Sequence, residues 1–388
     1  MAQAISTRVT VETTIRDSAA FTQSLNQCVL ITQNEIFGNK LFEVVGRDGY
    51  VDQVDSALWP AEALWLQTFF RQPESPLTAT ILYWDKARPF IEVLQEAYDY
   101  DTPMYFLSYI GSGIGDIEDQ IEIALASGAI EDRFMTHLLT TDINAESSTN
   151  TTHLGARLNE LKLKNTVVYY QPLITKTKNQ VEASAGVFET VFVTADTSKQ
   201  RPDAGQLGRL SNGVEGLKQW ALKDIEGFIP VNLKTSIHAA LKKVHYNYVT
   251  TYKRSNFNSA NGGRTVTGRE IRVHWGVDWF DITLQVVLFN MMANNDATLR
   301  DDDTFAVIES LIRQTATTLA EDHNVIFEGD TFTVNMPDPM RGKTLAEILS
   351  GSLKLDQIYD GVIKSGIDDI HITGNLWLQM PRERGVMQ

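Results

Sequence analysis

The sequence has almost none of the residues that build disulfide-bonded or metal-binding proteins. Of its 388 residues, Cys28 is the only cysteine and seven are histidines. A single cysteine cannot form an internal disulfide, so the chain is not a disulfide-stabilised scaffold, and folding in a reducing cytoplasm is the default expectation. Cys28 lies in the apolar run CVLIT, which predicts a small buried side chain rather than a reactive thiol.

The short motifs of catalytic and metal chemistry are also missing. The sequence contains no H-E-x-x-H, no paired cysteines, no G-x-x-x-x-G-K-[ST] loop and no G-x-S-x-G elbow. His238 and His245 share a helical face, but a seven-residue separation is about 10 Å along a helix axis, too far for one ion without other ligands. We therefore predict no catalytic, cofactor-binding or metal-binding residues, no cofactor, and a protein that is not an enzyme.

Long apolar runs and excess positive charge are absent as well. Hydrophobic residues make up 43% of the chain and charged residues 21%. No apolar run approaches the roughly 20 residues needed to cross a bilayer, and the alternating N-terminus lacks the apolar centre of a signal peptide. The net charge of −15 argues against broad contact with nucleic-acid phosphates. We expect neither a membrane nor a nucleic acid among the partners.

One region departs from this acidic balance. The segment from Val231 to Arg272, called here the basic segment, contains only one acid, Glu270. Its cations are Lys234, Lys242, Lys243, Lys253, Arg254, Arg264, Arg269 and Arg272. A basic surface on an acidic protein can face an acidic partner, including another copy of the same chain. A merely solvated surface explains the composition equally well.

Strands and helices alternate through the first half of the chain. Apolar runs typical of strands are followed by amphipathic runs of helical spacing, which favours βαβ units and a largely parallel sheet. The predicted strands cover about 27–33, 77–84, 103–110, 133–141 and 165–171, and the predicted helices about 60–72, 88–100, 116–128 and 154–164. Further on, helices are predicted within 230–245, 278–295 and 305–323. The fold class is α/β (mixed α+β), with mixed sheets flanked by helices.

Both ends of the chain have the period-2 pattern of strands. Apolar residues alternate with polar ones at Val9, Val11 and Ile15 and again at Ile370, Ile372, Leu376 and Leu378. The long polar, glycine-containing stretch 194–213 is the best candidate for a domain boundary. We expect an N-terminal arm at 1–20, an α/β domain at 21–200, a second domain at 201–366 and a C-terminal strand arm at 367–388.

A glycine turn between a predicted strand and a predicted helix raises an alternative function. Gly111 and Gly113 match the beginning of a dinucleotide-binding fingerprint, but the third glycine, Gly115, comes one position too early. Asp116 stands at the required position, and its charge suits a helix N-terminus but repels a pyrophosphate. We therefore interpret Gly111–Gly115 as a tight turn and keep a nucleotide-binding enzyme as the alternative.

From Gly216 onward, the order of elements resembles that of contractile phage tail sheath proteins. The matching points are a turn at Gly227 and Pro230, a helix end at Lys243, Asn247 and Tyr248, a helix start, and a following acid-capped helix. The expected helix start comprises Gly276, Asp278 and Trp279. The closing stretch YDGVIKSGIDDIHITGNLWL and, more loosely, LWLQTFFRQPESPLTATILYW are similar too. Particular residues match only over 216–314, and little chain remains for an additional surface domain.

The resemblance implies a virion subunit that stacks in rings around a tail tube. Extended terminal strands would join neighbouring copies, and contraction would drive the tube through the host envelope. Implied partners are other copies, the tail tube protein, and the baseplate and tail terminator proteins, with assembly in the bacterial host cytoplasm. Another virion component, such as a tube or baseplate protein, stays open as an alternative.

The strand patterning at both ends fits the strand exchange that the resemblance implies, because a terminal strand can add to the sheet edge of a neighbour. We expect subunit contacts through Val9, Val11, Ile15, Ile370, Ile372, Leu376 and Leu378, unless these strands complete the chain's own sheet. A second set of expected contacts consists of basic side chains facing acids such as Glu118 or Asp301 of another copy. These are Lys234, Lys242, Lys243, Arg264 and Arg269.

Overall fold

A mixed sheet with helices on both faces organises the chain. The computed structural model describes residues 25–38, 40–100, 104–130, 134–184, 187–212, 219–251, 258–294, 302–322, 332–336 and 359–360. The sheet strands are β1 (Cys28–Thr32), β2 (Phe42–Gly46), β3 (Thr78–Tyr83), β4 (Phe106–Tyr109), β5 (Met135–Thr140) and β6 (Thr166–Tyr170). Their order is β2-β3-β1-β4-β5-β6, in which β2 is antiparallel to β3 and the other neighbours are parallel.

The parallel strands have the order of a doubly wound sheet. Taken along the chain as first to fifth, they lie in the spatial order 2-1-3-4-5. The order reverses between β1 and β4, so the connections leaving these two strands go to opposite sides. Beyond β6, the backbone of Asn247 covers the sheet edge: Tyr170 N donates to Asn247 O at 2.8 Å, and Asn247 N donates to Val168 O at 2.8 Å.

Apolar clusters fill the space on each face of this sheet. On the first face, strands pack against α3 (Phe90–Asp99), α4 (Ile117–Ile130), α5 (Leu154–Glu160) and α7 (Thr235–Lys243). On the second face they pack against α2 (Pro60–Phe70), α6 (Pro202–Leu210) and the beginning of α8 (Ile271–Asn294). Within β1 the side chains alternate between the faces, with Val29 and Ile31 on the first and Cys28 and Leu30 on the second.

The long helix α8 connects the second face to a further apolar cluster. Ile271 and Trp275 belong to the core of the second face, whereas Phe280 and Leu284 pack with α9 (Asp302–Asp322). The short strands β11 (Thr333–Val334) and β12 (Tyr359–Asp360) close this cluster as an antiparallel pair. Elsewhere, α1 (Tyr50–Gln53) follows β2. β7 (Ile174–Ser184) pairs with β8 (Val187–Asp196) in a long ribbon, and β9 (Tyr248–Thr251) pairs with β10 (Asn258–Asn261).

Most elements predicted from the sequence are confirmed. The predicted strands correspond to β1, β3, β4, β5 and β6, and the predicted helices correspond to α2–α5, α7, α8 and α9. Cys28 is fully buried, and burial raises the pKa of its thiol to about 12. The mixed α/β class with a sheet flanked by helices is likewise confirmed. The predicted terminal arms lie outside the described residues.

The structure differs from the sequence-based predictions, or adds to them, at three places. Helix α8 begins at Ile271 rather than near Gly276, because Ile271 and Trp275 extend its buried face toward the N-terminus. Strand β2 and the β7–β8 ribbon were not predicted. The stretch 194–213 contains α6, whose residues are almost all buried and pack on α2. The division between 200 and 201 stays a prediction, although the described residues on its two sides share one core.

Candidate subunit-contact surfaces

The predicted contact residues fall into two groups. Those of the terminal strands lie outside the described residues: Val9, Val11, Ile15, Ile370, Ile372, Leu376 and Leu378. Those of the basic segment all lie within the described residues: Lys234, Lys242, Lys243, Arg264 and Arg269.

Helix α7 presents three of the predicted lysines to solvent. Lys234 is the N-cap residue, and Lys242 and Lys243 occupy the last turn, where positive charge is favourable to the helix dipole. All three side chains are exposed. Lys243 Nζ donates to the carbonyl of Ser148 at 3.4 Å, which ties the end of the helix to a loop of the first face.

The predicted arginines behave differently, because they are half-buried and engaged within their own turn. Arg264 donates to the carbonyl of Gly268 at 2.8 Å, and its guanidinium lies 3.8 Å from a carboxylate oxygen of Glu270. Arg272 Nε donates to the same carboxylate at 2.9 Å. The one acid of the basic segment is thus shared by two arginines. Arg269 is half-buried in the same turn, where its carbonyl accepts from Thr265 N at 2.8 Å.

The two parts of the basic segment meet at His245. This residue lies two positions after the end of α7, and a Cβ added to Gly268 would lie 2.8 Å from its Nε2 atom. Burial, together with the nearby Arg264, lowers the pKa of His245. The turn carrying Arg264 and Arg269 therefore packs against the end of α7. Of the two acids expected to face this surface, Glu118 is bonded to Arg157 of its own chain and Asp301 is not described.

The glycine turn after β4 is occupied by groups of its own chain. Gly113 N donates to the Asp116 carboxylate at 2.8 Å, and Gln120 Nε2 donates to the carbonyl of Gly111 at 2.9 Å. The ring of Tyr109 lies so close that a Cβ on Gly111 would stand 2.3 Å from it. A carboxylate therefore holds the N–H of Gly113, which a phosphate would need. This geometry supports the turn interpretation over the nucleotide alternative.

The point where the strand order reverses, between β1 and β4, is also occupied by side chains of the chain itself. In doubly wound sheets, ligands bind in the crevice beyond the carboxyl ends of the strands at such a point. Here Asp119 Oδ2 accepts from Gln33 Nε2 at 2.8 Å, Lys86 Nζ at 2.7 Å and the Tyr109 hydroxyl at 3.1 Å. The hydrogen bond to Asp119 raises the pKa of Lys86, and burial followed by the charge of Asp119 raises that of Tyr109.

An apolar surface that the sequence analysis missed lies at the carboxyl ends of β4, β5 and β6. Large aliphatic side chains extend from the connections after these strands and are between 52% and 70% exposed. We call them the carboxyl-end patch: Ile114, Ile143, Leu173 and Ile174. The sequence feature that could have predicted this surface is an isoleucine or leucine in each polar connection that follows a predicted strand. Such residues usually contribute to a core, so they gave no prediction here.

No feature of a metal site or membrane segment appears in the parts of the chain that the structure describes. Among these residues, no three His, Cys, Asp or Glu side chains converge in a way that could hold a metal ion. None of the described helices combines the length and the apolar character that a bilayer-spanning segment requires.

Comparison with known proteins shows the class of fold. No protein-family model and no curated protein matches this sequence. Among solved structures, the contracted helical sheath of the anti-feeding prophage matches 92% of this chain and 94% of its own, with 12% identity and a TM-score of 0.60. A chain in the baseplate structure of the same particle matches 95% of this chain and 98% of its own, with 15% identity and a TM-score of 0.62.

A third structure extends this result to another particle. The contracted PVC sheath complex of an extracellular contractile injection system matches 95% of this chain and 97% of its own, with 12% identity and a TM-score of 0.61. These similarities run over almost the full length of both partners. The chain therefore has a contractile-sheath-like fold, and the resemblance noted in its sequence is confirmed at the level of fold.

Proposed function

We propose that this chain is the structural subunit of a contractile tail sheath. It polymerises around the tail tube of a phage and contracts to drive the tube through the host envelope, leading to genome ejection. The observation that carries the proposal is the match of 92–95% of the chain to sheath structures and a related baseplate chain.

The proposed partners are other copies of the chain first, then the tail tube, baseplate and tail terminator proteins. The site of action is the virion tail, after assembly in the bacterial host cytoplasm. The hydrogen bond from Gly113 N to the Asp116 carboxylate supports a structural turn rather than a phosphate-binding loop at this position.

Strand exchange through the two ends is part of this proposal. The period-2 patterns around Val9–Ile15 and Ile370–Leu378 fit strands that add to the sheet edge of a neighbouring copy through backbone hydrogen bonds. Such joins are head-to-tail and propagate a helical filament when they do not close. The division into arms at 1–20 and 367–388 and domains at 21–200 and 201–366 belongs to the same proposal.

The exposed lysines of α7 are proposed as a second contact, one that changes during contraction. Exposed ion pairs are individually weak and sensitive to salt, which suits a contact that must be released. Lys234, Lys242 and Lys243 project into solvent, whereas Arg264 and Arg269 are half-buried, so the lysines carry this part of the proposal.

Electron microscopy of the purified protein tests the function. We expect hollow cylinders of sheath width, formed by the chain alone or on co-expressed tubes. Removing residues 1–15 should block polymerisation and leave the thermal unfolding transition intact. Unchanged assembly would contradict strand exchange at that end. Reversing Lys242 and Lys243 to glutamate should alter assembly or contraction, and wild-type behaviour would contradict the role of α7.

A baseplate component is the second candidate, because a chain of a baseplate structure matches as well as the sheath chains do. Microscopy separates the two: discrete rings that never elongate favour a baseplate role, and long cylinders favour a sheath. Titration with ATP and NAD tests the alternative of a nucleotide-binding enzyme. That alternative requires saturable nucleotide binding by the wild type and loss of this binding in Gly113→Asp. We expect no binding by the wild type or by Gly113→Asp.

A further inference from the structure

The carboxyl-end patch is unusual because its apolar side chains come from successive connections at one end of the sheet. Ile114 follows β4, Ile143 follows β5, and Leu173 and Ile174 follow β6. Since β4, β5 and β6 are adjacent and parallel, their connections emerge side by side. The four exposed side chains therefore lie at the same end of the sheet, on connections that leave neighbouring strands.

Hydrogen bonds hold these connections in place. Thr141 N donates to the carbonyl of Ser112 at 2.9 Å, which joins the connections after β4 and β5. Gln171 N donates to the carbonyl of Thr140 at 3.0 Å, which continues the pairing of β5 and β6 beyond the strands. Thr197 N donates to the carbonyl of Leu173 at 2.9 Å. A surface fixed in this way loses little conformational entropy when a partner covers it.

A smaller apolar pair lies at the opposite end of the sheet. Leu77 immediately precedes β3, and Val51 lies in α1, just after β2 ends beside the start of β3. Their exposed fractions are 67% and 70%. Arg47 N donates to the carbonyl of Leu77 at 2.8 Å, which holds the two segments together. We call Val51 and Leu77 the amino-end pair.

A helical polymer needs two different surfaces on each subunit, because its contacts are head-to-tail and not self-complementary. The described residues include two such apolar groups, the carboxyl-end patch and the amino-end pair, at opposite ends of one sheet. Its fold is that of chains found in a helical sheath. The same arrangement would not suit a two-fold dimer, in which one surface meets its own copy.

Resting on the proposed sheath function, we propose that the carboxyl-end patch of one copy packs on the amino-end pair of a second copy. This contact is distinct from strand exchange and from the lysines of α7. It brings together side chains that are each more than half exposed in the single chain, so burial in the polymer stabilises it by the hydrophobic effect.

Charge substitution within the patch is the first test. The variant Ile114→Glu/Ile143→Glu should raise the critical concentration for assembly by about tenfold or more, measured by sedimentation and electron microscopy. The matched control is Leu125→Glu, which changes an exposed aliphatic residue on the outer side of α4. The control should assemble like the wild type. Unchanged thermal unfolding of both variants at concentrations below assembly would show that their folds are intact.

Cysteine cross-linking is the second test, and the chain suits it because its own Cys28 is buried. The double variant Leu77→Cys/Ile143→Cys, treated with a short bismaleimide after assembly, should give a ladder of covalent oligomers. Each single variant should stay monomeric on a denaturing gel. Dimers from Ile143→Cys alone would show a self-complementary contact and overturn the head-to-tail proposal.

The outcomes separate this contact from the proposed function. Wild-type cylinders together with normal assembly of Ile114→Glu/Ile143→Glu would overturn the contact and leave the sheath function standing. A failure of Leu125→Glu equal to that of the patch variant would overturn the assignment of the contact to this patch. Wild-type protein that forms no polymer, alone or on tubes, would overturn the function and this contact together.

Discussion

Two aspartates on opposite faces of the sheet have similar hydrogen bonds but very different surroundings. Ser108 and Tyr109 are neighbours in β4 and point to opposite faces. The Ser108 hydroxyl donates to Asp203 at 2.9 Å on the second face, and the Tyr109 hydroxyl donates to Asp119 at 3.1 Å on the first. Each carboxylate also accepts from a basic side chain. The two clusters are thus comparable in chemistry.

They differ in their access to water. Asp203 is fully buried, and Arg201 binds it through two nitrogens at 3.0 and 2.6 Å, with Trp65 Nε1 at 3.2 Å. The same Arg201 donates to the carbonyls of Tyr109 and Ile110, and so holds the end of β4. The cation on Asp119 is Lys86, which is more than half exposed. We infer that a buried charge network adds to the apolar packing of the second face, whereas the corresponding charged groups of the first face lie at its rim.

Loss of Asp203 should give the largest effect. The variant Asp203→Ala leaves the Arg201 guanidinium buried without its carboxylate, and breaking a buried pair typically costs about 3 to 5 kcal/mol of unfolding free energy. Urea unfolding, at protein concentrations too low for assembly, measures this loss of unfolding free energy. Asp119→Ala is the matched control and should cost about 1 kcal/mol, because Lys86 can turn to water. Equal losses would contradict the contrast between the two faces.

The crossing of α6 on α2 should give the next largest effect. A Cβ on Gly208 would lie 2.1 Å from the carbonyl oxygen of Phe69, a backbone atom that cannot move aside. Gly208→Ala should therefore lower the unfolding free energy by about 3 kcal/mol.

Gly128 in α4 is the control for that substitution, because it is also helical but nothing lies within 4 Å of an added Cβ. Gly128→Ala should stabilise the protein by about 0.5 to 1 kcal/mol, since alanine loses less backbone entropy in a helix. Destabilisation by both substitutions to the same extent would show that close packing at α6 is not the cause.

A contrast between apolar and polar burial explains why most helices, including α2 on the second face, were predictable from the sequence and α6 was not. The helices of the first face have apolar residues at helical spacing, and α3 and α4 were predicted within a few residues of their bounds. Helix α6 was not, because its buried residues include Asp203, Gln206 and two glycines. In the sequence, these residues are typical of a polar linker. Only the structure shows that Arg201 and the backbone of α2 pack beside them. The burial of Asp203 also depends on Trp65 and Ser108, which are distant from it in the chain.

The candidate contact surfaces were predictable to a smaller degree. The exposed lysines of α7 follow from composition, whereas the engagement of Arg264 with Glu270 depends on a turn between them. The carboxyl-end patch depends on the strand order, because Ile114 and Ile143 are adjacent only when β4 and β5 are neighbours. Sequence spacing alone does not supply that order.

A buried histidine on the second face predicts a further difference between the two faces, in how the free energy of unfolding depends on pH. His137 lies on the second face, and burial lowers its pKa to about 3 in spite of the nearby charge of Asp203. Its unfolded pKa is about 6.5. The unfolded chain therefore binds the proton first, and the stability that neutral His137 contributes is present above pH 6.5 and is lost as the pH falls.

Between pH 7 and 5.5, this residue should account for a loss of about 1 kcal/mol in unfolding free energy. The variant His137→Gln should lack that part of the pH dependence in urea titrations. His153 on the first face is less deeply buried, and burial also lowers its pKa. His153→Gln should therefore change the slope less. A slope that is the same in wild type and His137→Gln would contradict the buried, neutral state of His137.

The smallest expected effect is that of Lys86, and salt separates it from the buried network. Its Nζ lies 2.7 Å from Asp119 but the side chain is largely in water, so Lys86→Met should destabilise the protein far less than Asp203→Ala does. The deficit should vanish in 1 M NaCl, where charges are screened over about 3 Å, and should be restored in low salt. The deficit of Asp203→Ala should persist at both salt concentrations, because the low-dielectric interior excludes mobile ions. If salt abolished both deficits, the Arg201–Asp203 pair would have to be accessible to water, and the distinction between the two faces would fail.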